Sequence, residues 1–583
     1  MKTYLALTIG PIYKTIERAR KTRELWAASF LLSLFMKRLL QNLQPYGVAL
    51  SPDTTHLNDD TRYHGAGIWN DNCFFALHDD KIQELKKQLP EIIRSVKREV
   101  VQLALLDLEK DKKRLPLQEE ALSALLERHF HCHAVLHTPK EEAEEIMKVL
   151  GDKTASAEMQ DRFPERNDNL VAEAIFRGYA VRGLYSLGYD DNDPVFTYYK
   201  SRFDGFESNR RLPSLLEIAV REFKRDAGKY GRIVQIINER IQGKDDDADT
   251  DEENQAIIEA LKKEKDNKGN SVFKKRHKYV AIVQSDGDGV GTMIQKKKDP
   301  EIIRGLSKAL MAFSTEAVDQ IAGFDALPVY AGGDDLLFIA PLRNKEGQTI
   351  FDLIKTLQAT FARQTLLKEE GASLSFGVSI FYYKYPLGEA LENGRHLLNG
   401  LAKKLAYHSS GEASTLKKKK ALAFRVMLHA GQSFATVLRQ EGKVWDQWNA
   451  LLHTHDAVQT DTAFVSGVIH TLEKLEWLLS EACAHKTTEY FFDHHFNEAK
   501  GTPHWAFIQS VRQLAECIYD EYHTLMVEEE SFDAFVKAQL DVPADGRYPN
   551  DNFDAATLRN KYCNNLLYSA LRVIQFLNAE DHE

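Results

Sequence analysis

Cysteine is scarce in this 583-residue chain. There are five (Cys73, Cys132, Cys483, Cys517, Cys563), an odd number, widely separated and without a CxxC pair. That usage excludes a disulfide framework and a zinc site built from cysteine pairs, and it fits a reducing, cytoplasmic location. Long apolar runs are missing as well. The longest, Leu25 to Met36, is broken by two serines and falls short of the roughly 20 residues that span a bilayer. The N-terminus offers one Lys, a short apolar stretch and then Gly10-Pro11, with no small-residue cleavage site, so neither a signal peptide nor a membrane partner is expected. Nor is there a basic excess: 76 Lys and Arg face 86 Asp and Glu, a net charge of -10. Coating nucleic acid through bulk electrostatics is therefore excluded, although a local basic groove is not.

What is present is an ordinary globular composition, 43% hydrophobic and 28% charged, which rules out wholesale disorder. The length suits about four domains. Tyr4 to Ile9 is a β-prone run closed by Gly10-Pro11. The segment from Ile12 to Leu40 then places Ile16, Ala19, Leu25, Ala28, Leu32, Phe35 and Leu39 on one helical face. Arg18, Arg20, Lys21 and Arg23 crowd its first half, either as a solvated flank or as a contact to RNA or a partner. Residues 81–160 read as a helical insertion, and Lys244 to Glu253 as a solvated acidic loop. Tyr279 to Val283 is a buried-strand candidate. A helix from Ile302 to Ile321, a second β-run, a third from Leu374 to Tyr383 and a helix from Leu387 to Leu405 follow. This alternation predicts an α/β unit, and the strand-then-helix order at Tyr4–Leu40 makes a second, similar module plausible. Beyond about residue 413 the β-signals fade and helical periodicity takes over.

Two acidic motifs carry the chemistry. Ser285-Asp286-Gly287-Asp288-Gly289 ends the Tyr279 strand, and Ala331-Gly332-Gly333-Asp334-Asp335 sits between two β-prone runs, where Gly-Gly signals a tight hairpin. Carboxylates gathered from adjacent strand ends make a hard-oxygen site suited to Mg²⁺ or Mn²⁺, the arrangement used for in-line phosphoryl transfer. Gly287, Gly332 and Gly333 would let backbone approach a triphosphate. An EF-hand fails because Val290 and Lys297 occupy ligand positions. A Walker A loop fails for want of Gly-Lys-Ser/Thr, and a dinucleotide fingerprint for want of GxGxxG.

Val329-Tyr330-Ala331-Gly332-Gly333-Asp334-Asp335 resembles the signature of the polymerase/cyclase-like palm in the large subunit of type III CRISPR effector complexes. Ala6 to Pro11, Ala19 to Ser29 and Leu31 to Ser33 resemble the opening of the first palm in the type III-B (Cmr) branch. Ser375 to Ser379, Tyr385 to Leu387, Ala390-Leu391 and Ala402-Lys403 resemble the end of the second. The resemblance implies an α+β multidomain chain with two ferredoxin-like palm domains, a helical linker and a helical C-terminal domain, in a form without the N-terminal HD nuclease. The expected boundaries are 1–215, 216–273, 274–412 and 413–583.

By the same resemblance Asp286, Asp334 and Asp335 would be catalytic and hold metal together with Asp288. Lys403 would pair with triphosphate, and Ser373 or Ser375 would contact adenine. The implied activity is ATP-dependent nucleotidyl transfer to a signalling product, switched on by target RNA within a complex of other subunits and guide RNA. The product is a cyclic oligoadenylate or a conjugate of ATP with S-adenosylmethionine. For the latter, Trp69, Asn70 and Asp71, in the Gly-rich stretch from Gly65 to Asn72, form a candidate second-ligand site. The rival expectations are a catalytically silent scaffold and a free-standing cyclic-dinucleotide synthase. His129 to His133 and the doublets His78-Asp79 and His455-Asp456 read as ordinary histidines.

Overall fold

The computed structural model describes residues 2–58, 66–105, 129–140, 144–159, 213–225, 251–265, 269, 271–408, 416–453, 461–522 and 555–581. Gly65, residues 244–250 of the acidic stretch, most of the mixed region 166–240 and His455-Asp456 lie outside them.

Two sheets are built on one plan. The first comprises β1 (Tyr4–Gly10), α1 (Ile12–Ile16), α2 (Thr22–Leu43), β2 (Gly47–Ser51), β3 (Asn72–Leu77), α3 (Ile82–Leu105) and β4 (His131–His137), flanked by α4 (Ile146–Glu158). Its strands are antiparallel in the order β2-β3-β1-β4. The second comprises β5 (Tyr279–Asp288), α5 (Pro300–Gly323), β6 (Leu327–Gly332), β7 (Asp335–Pro341), α6 (Ile350–Arg363) and β8 (Ser373–Tyr382). Its core order, β8-β5-β7-β6, is that of the first sheet read from the other edge. Both units are therefore β-α-β-β-α-β, the ferredoxin-like arrangement.

Local chemistry sets the helix starts. Glu24 accepts the Arg20 amide at 2.7 Å ahead of α2. Asp299 accepts the Glu301 amide at 2.8 Å with Pro300 in the first turn of α5. Thr349 and Asp352 make a capping box at α6. The apolar stripe of α2 buries Leu25, Ala28, Leu32, Phe35 and Leu39, the positions read from its periodicity apart from Ile16 and Ala19, which precede it. Tyr279 to Val283 is buried throughout, as a strand covered on both faces must be. One continuous apolar core joins both sheets and the C-terminal helices.

Two expectations are corrected. The segment 81–160 is not a helical insertion: α3 is the second crossover of the first unit, and β4 pairs with β1 along its whole length. His131 to His137 hides its strand character because three of its seven residues are histidines and none is fully buried. His129 to His133 consequently do not share a helix face, and His129 Nε2 meets Thr15 Oγ1 at 2.9 Å. The second sheet also does not end near 412. A π-turn (Leu397–Leu401) follows α7 (Leu387–His396), and a small hairpin of β9 (Ala406–His408) and β10 (Leu416–Lys418) comes next. Then β11 (Ala421–Met427) adds parallel to β8 and β12 (Ser433–Arg439) adds antiparallel to β11. Ala421 to Met427 reads as readily as helix because Ala, Leu and Met favour helix. From Lys443 onward the described elements are helices. The last of them leads into Ala579 to Asp581, which clasp the entry to β5: Lys275 N donates to Ala579 O at 2.8 Å, and Lys278 pairs with Asp581 at 2.8 Å. No described helix is long and apolar enough to cross a membrane.

Packing of α7 on β8 depends on Gly377, where a Cβ would strike the Gly394 carbonyl and come within 2.6 Å of the Leu398 amide. Both neighbours are backbone and cannot yield. Gly377→Ala is expected to cost about 1–3 kcal/mol in urea unfolding. Gly467→Ala, in a helix with open space around it, is expected to gain about 0.5–1 kcal/mol.

Candidate active site

The β6–β7 hairpin turns through Gly333 and Asp334. Gly332 and Asp335 are paired, and Gly333 has φ of +66°. A glycine in the first turn position is what a tight hairpin of this hand requires. On the neighbouring strand, β5 pairs with β7 as far as Ser285 opposite Leu336, so the next register position sets Asp286 against Asp335. Asp334 folds over Gly287, whose amide hydrogen-bonds it; a Cβ on Gly287 would overlap that carboxylate. Three of the four expected carboxylates thus converge from two strand ends.

Their electrostatics follow from this crowding. Burial and then the Asp286 carboxylate push Asp334 up to about 6. Burial, followed by Asp334, Asp286 and Asp71, holds Asp335 well above the usual carboxylate range. Asp335 keeps exposed surface at the start of β7 and also lines a cavity. Lys403 is the local counter-charge. The π-turn and the following 3-10 turn (Ala402–Lys404) aim its Nζ at the Asp286 carboxylate, with the Gly287 carbonyl 3.5 Å away. Insertions of this kind commonly re-aim side chains at functional sites.

Asp288, expected among the metal ligands, is engaged otherwise. Its carboxylate is 8% exposed and accepts from Ser373 Oγ at 2.8 Å, Ser375 Oγ at 2.9 Å and the Lys420 amide at 2.8 Å. Ser373 and Ser375, expected at adenine, spend their hydroxyls on it. Asp288 ties β5 to β8 and to the turn at Lys419 and Lys420, both of which have positive φ. Sequence gave no cue to this, since Asp-Gly-Asp reads as one acidic cluster.

The stretch 66–71 of the first unit docks on the second. Gly67 N donates to Val329 O at 3.1 Å, and Ala331 N donates to Gly67 O at 2.7 Å. Trp69 and Asp71 line a cavity of about 130 Å³ between the units, walled by Ile9, Leu32 and Leu337 and reaching Tyr330 and Asp335. Burial and the nearby Glu158 raise Asp71 to about 6, against a hydrogen bond from Asn72. Asn70 lies over Gly332 and Gly333 instead. Tyr330 reads in the sequence as part of a strand and of the Gly-Gly-Asp-Asp signature, with no role of its own; burial, followed by Asp71, Asp335 and Asp334, pushes its phenol well above the usual range. A roomier groove, about 640 Å³, runs along residues 478–495 and holds none of the expected site residues.

Among the described residues, no three His, Cys, Asp or Glu side chains already close around a common point in metal-ligating geometry. Mg²⁺ can bind through one or two carboxylates plus substrate phosphates, without an all-protein cage. Crowded, partly protonated carboxylates are the donor set that a hard cation would relieve.

A carboxylate pKa raised on folding means that the native chain binds more protons than the unfolded one. Its stability contribution therefore falls as pH rises from the usual carboxylate range through about 6. With chelator present, Asp334→Asn should gain thermal stability relative to the native chain between pH 5 and pH 7.5. A gap between the two melting curves that does not change with pH would contradict this.

Both sheet units resemble described families. Residues 279–410 match the family model described as Cas10/Cmr2, second palm domain, and residues 4–148 match that of CRISPR-associated protein Cmr2, N-terminal. Over 151 residues the chain is 32% identical to the CRISPR system Cmr subunit Cmr2 of Pyrococcus furiosus; the match covers 22% of this chain and 17% of that relative's length. The fold is similar to a chain of the type III-B Cmr-beta complex in its apo state, with a TM-score of 0.59 and 12% identity over 98% of this chain and 82% of that one. A chain of Cmr-beta bound to cognate target RNA gives a TM-score of 0.56 at 12% identity, over 85% and 78%.

Proposed function

We propose that this chain, whose two sheet units match the second-palm model of Cas10/Cmr2 and the N-terminal model of Cmr2, is the ATP-using nucleotidyltransferase of a type III-B CRISPR complex. The observation that carries this reading is the convergence of Asp286, Asp334 and Asp335 beside Lys403. Asp286, Asp334 and Asp335 would hold Mg²⁺ or Mn²⁺, which would supply the charge neutralisation that α-phosphoryl transfer needs. The triphosphate is taken to lie at the turn of Gly332 and Gly333, one flank of which Asn70 covers. Lys403 exchanges Asp286 for phosphate when the nucleotide enters. An acceptor oxygen then bonds to the α-phosphorus as the bond to the β-phosphate bridge breaks, and pyrophosphate leaves. Other subunits of the complex, guide RNA and target RNA are the proposed partners, with target RNA as the trigger.

The inter-unit cavity is the proposed acceptor end. Its apolar walls, Trp69 and the Asp71 carboxylate favour a cationic group, as in S-adenosylmethionine, and at about 130 Å³ it receives that end of the acceptor and not the whole molecule. A conjugate with ATP is accordingly favoured over a cyclic oligoadenylate. The Lys403–Asp286 ion pair, which satisfies one carboxylate without metal, is what the silent-scaffold alternative has in its favour.

The assembled complex, given labelled ATP, Mn²⁺ and target RNA with and without S-adenosylmethionine, should yield an ATP-derived product identifiable by mass. Asp334→Ala/Asp335→Ala should lower its rate by at least about 100-fold. No product under any condition would leave the scaffold. Asp71→Asn should raise the half-saturating concentration of S-adenosylmethionine more than that of ATP; equal effects on both would remove the acceptor assignment.

A further inference from the structure

We infer that Asn70 is a positioning residue that couples the inter-unit cavity to the Gly332-Gly333-Asp334-Asp335 turn. The inference rests on the proposed metal-dependent reading of that turn.

The stretch carrying Asn70 is held rigidly by the first unit. Ser33 Oγ accepts the Ile68 and Trp69 amides, each at 2.9 Å, and Ser29 Oγ donates to Val329 O at 2.9 Å. Gly67 lies so close to α2 that a Cβ there would stand 2.7 Å from Ser29 Oγ. Its paired hydrogen bonds to Val329 and Ala331 make it a one-residue extension of the edge strand β6, lying parallel to it.

Beyond that bridge the residues alternate. Trp69 and Asp71 line the cavity, and Asn70 between them covers the turn. Its Oδ1 is 3.0 Å from where a Cβ on Gly332 would stand, and its Nδ2 is 3.4 Å from the same position on Gly333. From the opposite side, Ser314 Oγ on α5 donates to the Gly333 carbonyl at 3.0 Å. The turn is therefore bonded to a helix of its own unit, while one carboxamide of the other unit packs beside its glycines and the Tyr330 phenol stands closer still to Gly332. Trp69 and Asp71 cannot shift without carrying Asn70, and Asn70 cannot shift without changing the space available to Gly332 and Gly333. Because the carboxylates of Asp334 and Asp335 hang from that turn, the state of the cavity wall sets their spacing. Close packing makes such a contact transmit displacement instead of absorbing it. By linkage, metal at the turn must equally affect the cavity.

Binding of Mn²⁺ to the full-length chain, followed by the EPR signal of the free ion, tests this without requiring turnover. Trp69→Phe, a neutral change in the cavity wall, should weaken Mn²⁺ binding about threefold in the native background. The same change should have no effect in the Asn70→Ala background. Should Asn70→Ala not fold, as judged by circular dichroism, Asn70→Ser serves in its place. A Trp69→Phe effect that persists without Asn70, or one missing from the native chain, overturns the inference while leaving the metal site standing. Mn²⁺ binding that is indifferent to Asp334→Asn instead overturns the metal-site reading, and the inference falls with it.

Discussion

Like charges crowded at the open end of a rigid sheet are the constraint on which the rest of the structure depends. Register sets Asp286 against Asp335, and the two-residue turn drops Asp334 onto Gly287. Like charges placed directly opposite across a sheet are destabilising. The carboxylates cannot retreat, because β5 and β7 are fixed by buried apolar residues along their length. The cost shows as the raised pKa of Asp334 and Asp335, and the Lys403 ammonium on Asp286 offsets part of it. A divalent cation with the phosphates it brings would meet it more completely.

The surroundings follow from that need. Asp288 withdraws from the cluster and becomes a structural anchor satisfied by two serines and a backbone amide, leaving its neighbours less crowded. The first unit, built on the same plan, contributes no carboxylate to the turn itself. Its docking stretch instead adds Asp71 and an apolar wall, so the cavity runs from one unit to the carboxylates of the other. Two copies of one topology thus divide the work: one presents the acids, and the other shapes the approach to them.

Much of this is legible in the sequence. Strand-end acids, the Gly-Gly turn, the α2 stripe and the strand–helix order of the second unit all follow from short-range patterns, which also single out Asp286, Asp334 and Asp335, whereas Lys403 is singled out only by the family resemblance. The rest depends on long-range pairing that no local pattern encodes. β4 is hidden by its histidines, and β11 by helix-favouring residues that become a strand only because β8 offers an open edge. Asp288 looks identical to Asp286 in Ser285-Asp286-Gly287-Asp288. Only the arrival of Ser373 and Ser375 on β8, and of Lys420 after β10, separates their roles. Asn70 likewise reads as a ligand-site neighbour until the docking of Gly67 on β6 turns it toward the glycines.

The most direct measurement is the anomalous scattering of Mn²⁺ in crystals of the chain soaked with a non-hydrolysable ATP analogue. The account predicts density bridging the triphosphate to the Asp334 and Asp335 carboxylates, with Lys403 released from Asp286 and Asp288 still bonded to Ser373 and Ser375. Mn²⁺ density on a freed Asp288, or triphosphate bound away from the Gly332–Gly333 turn, would contradict it.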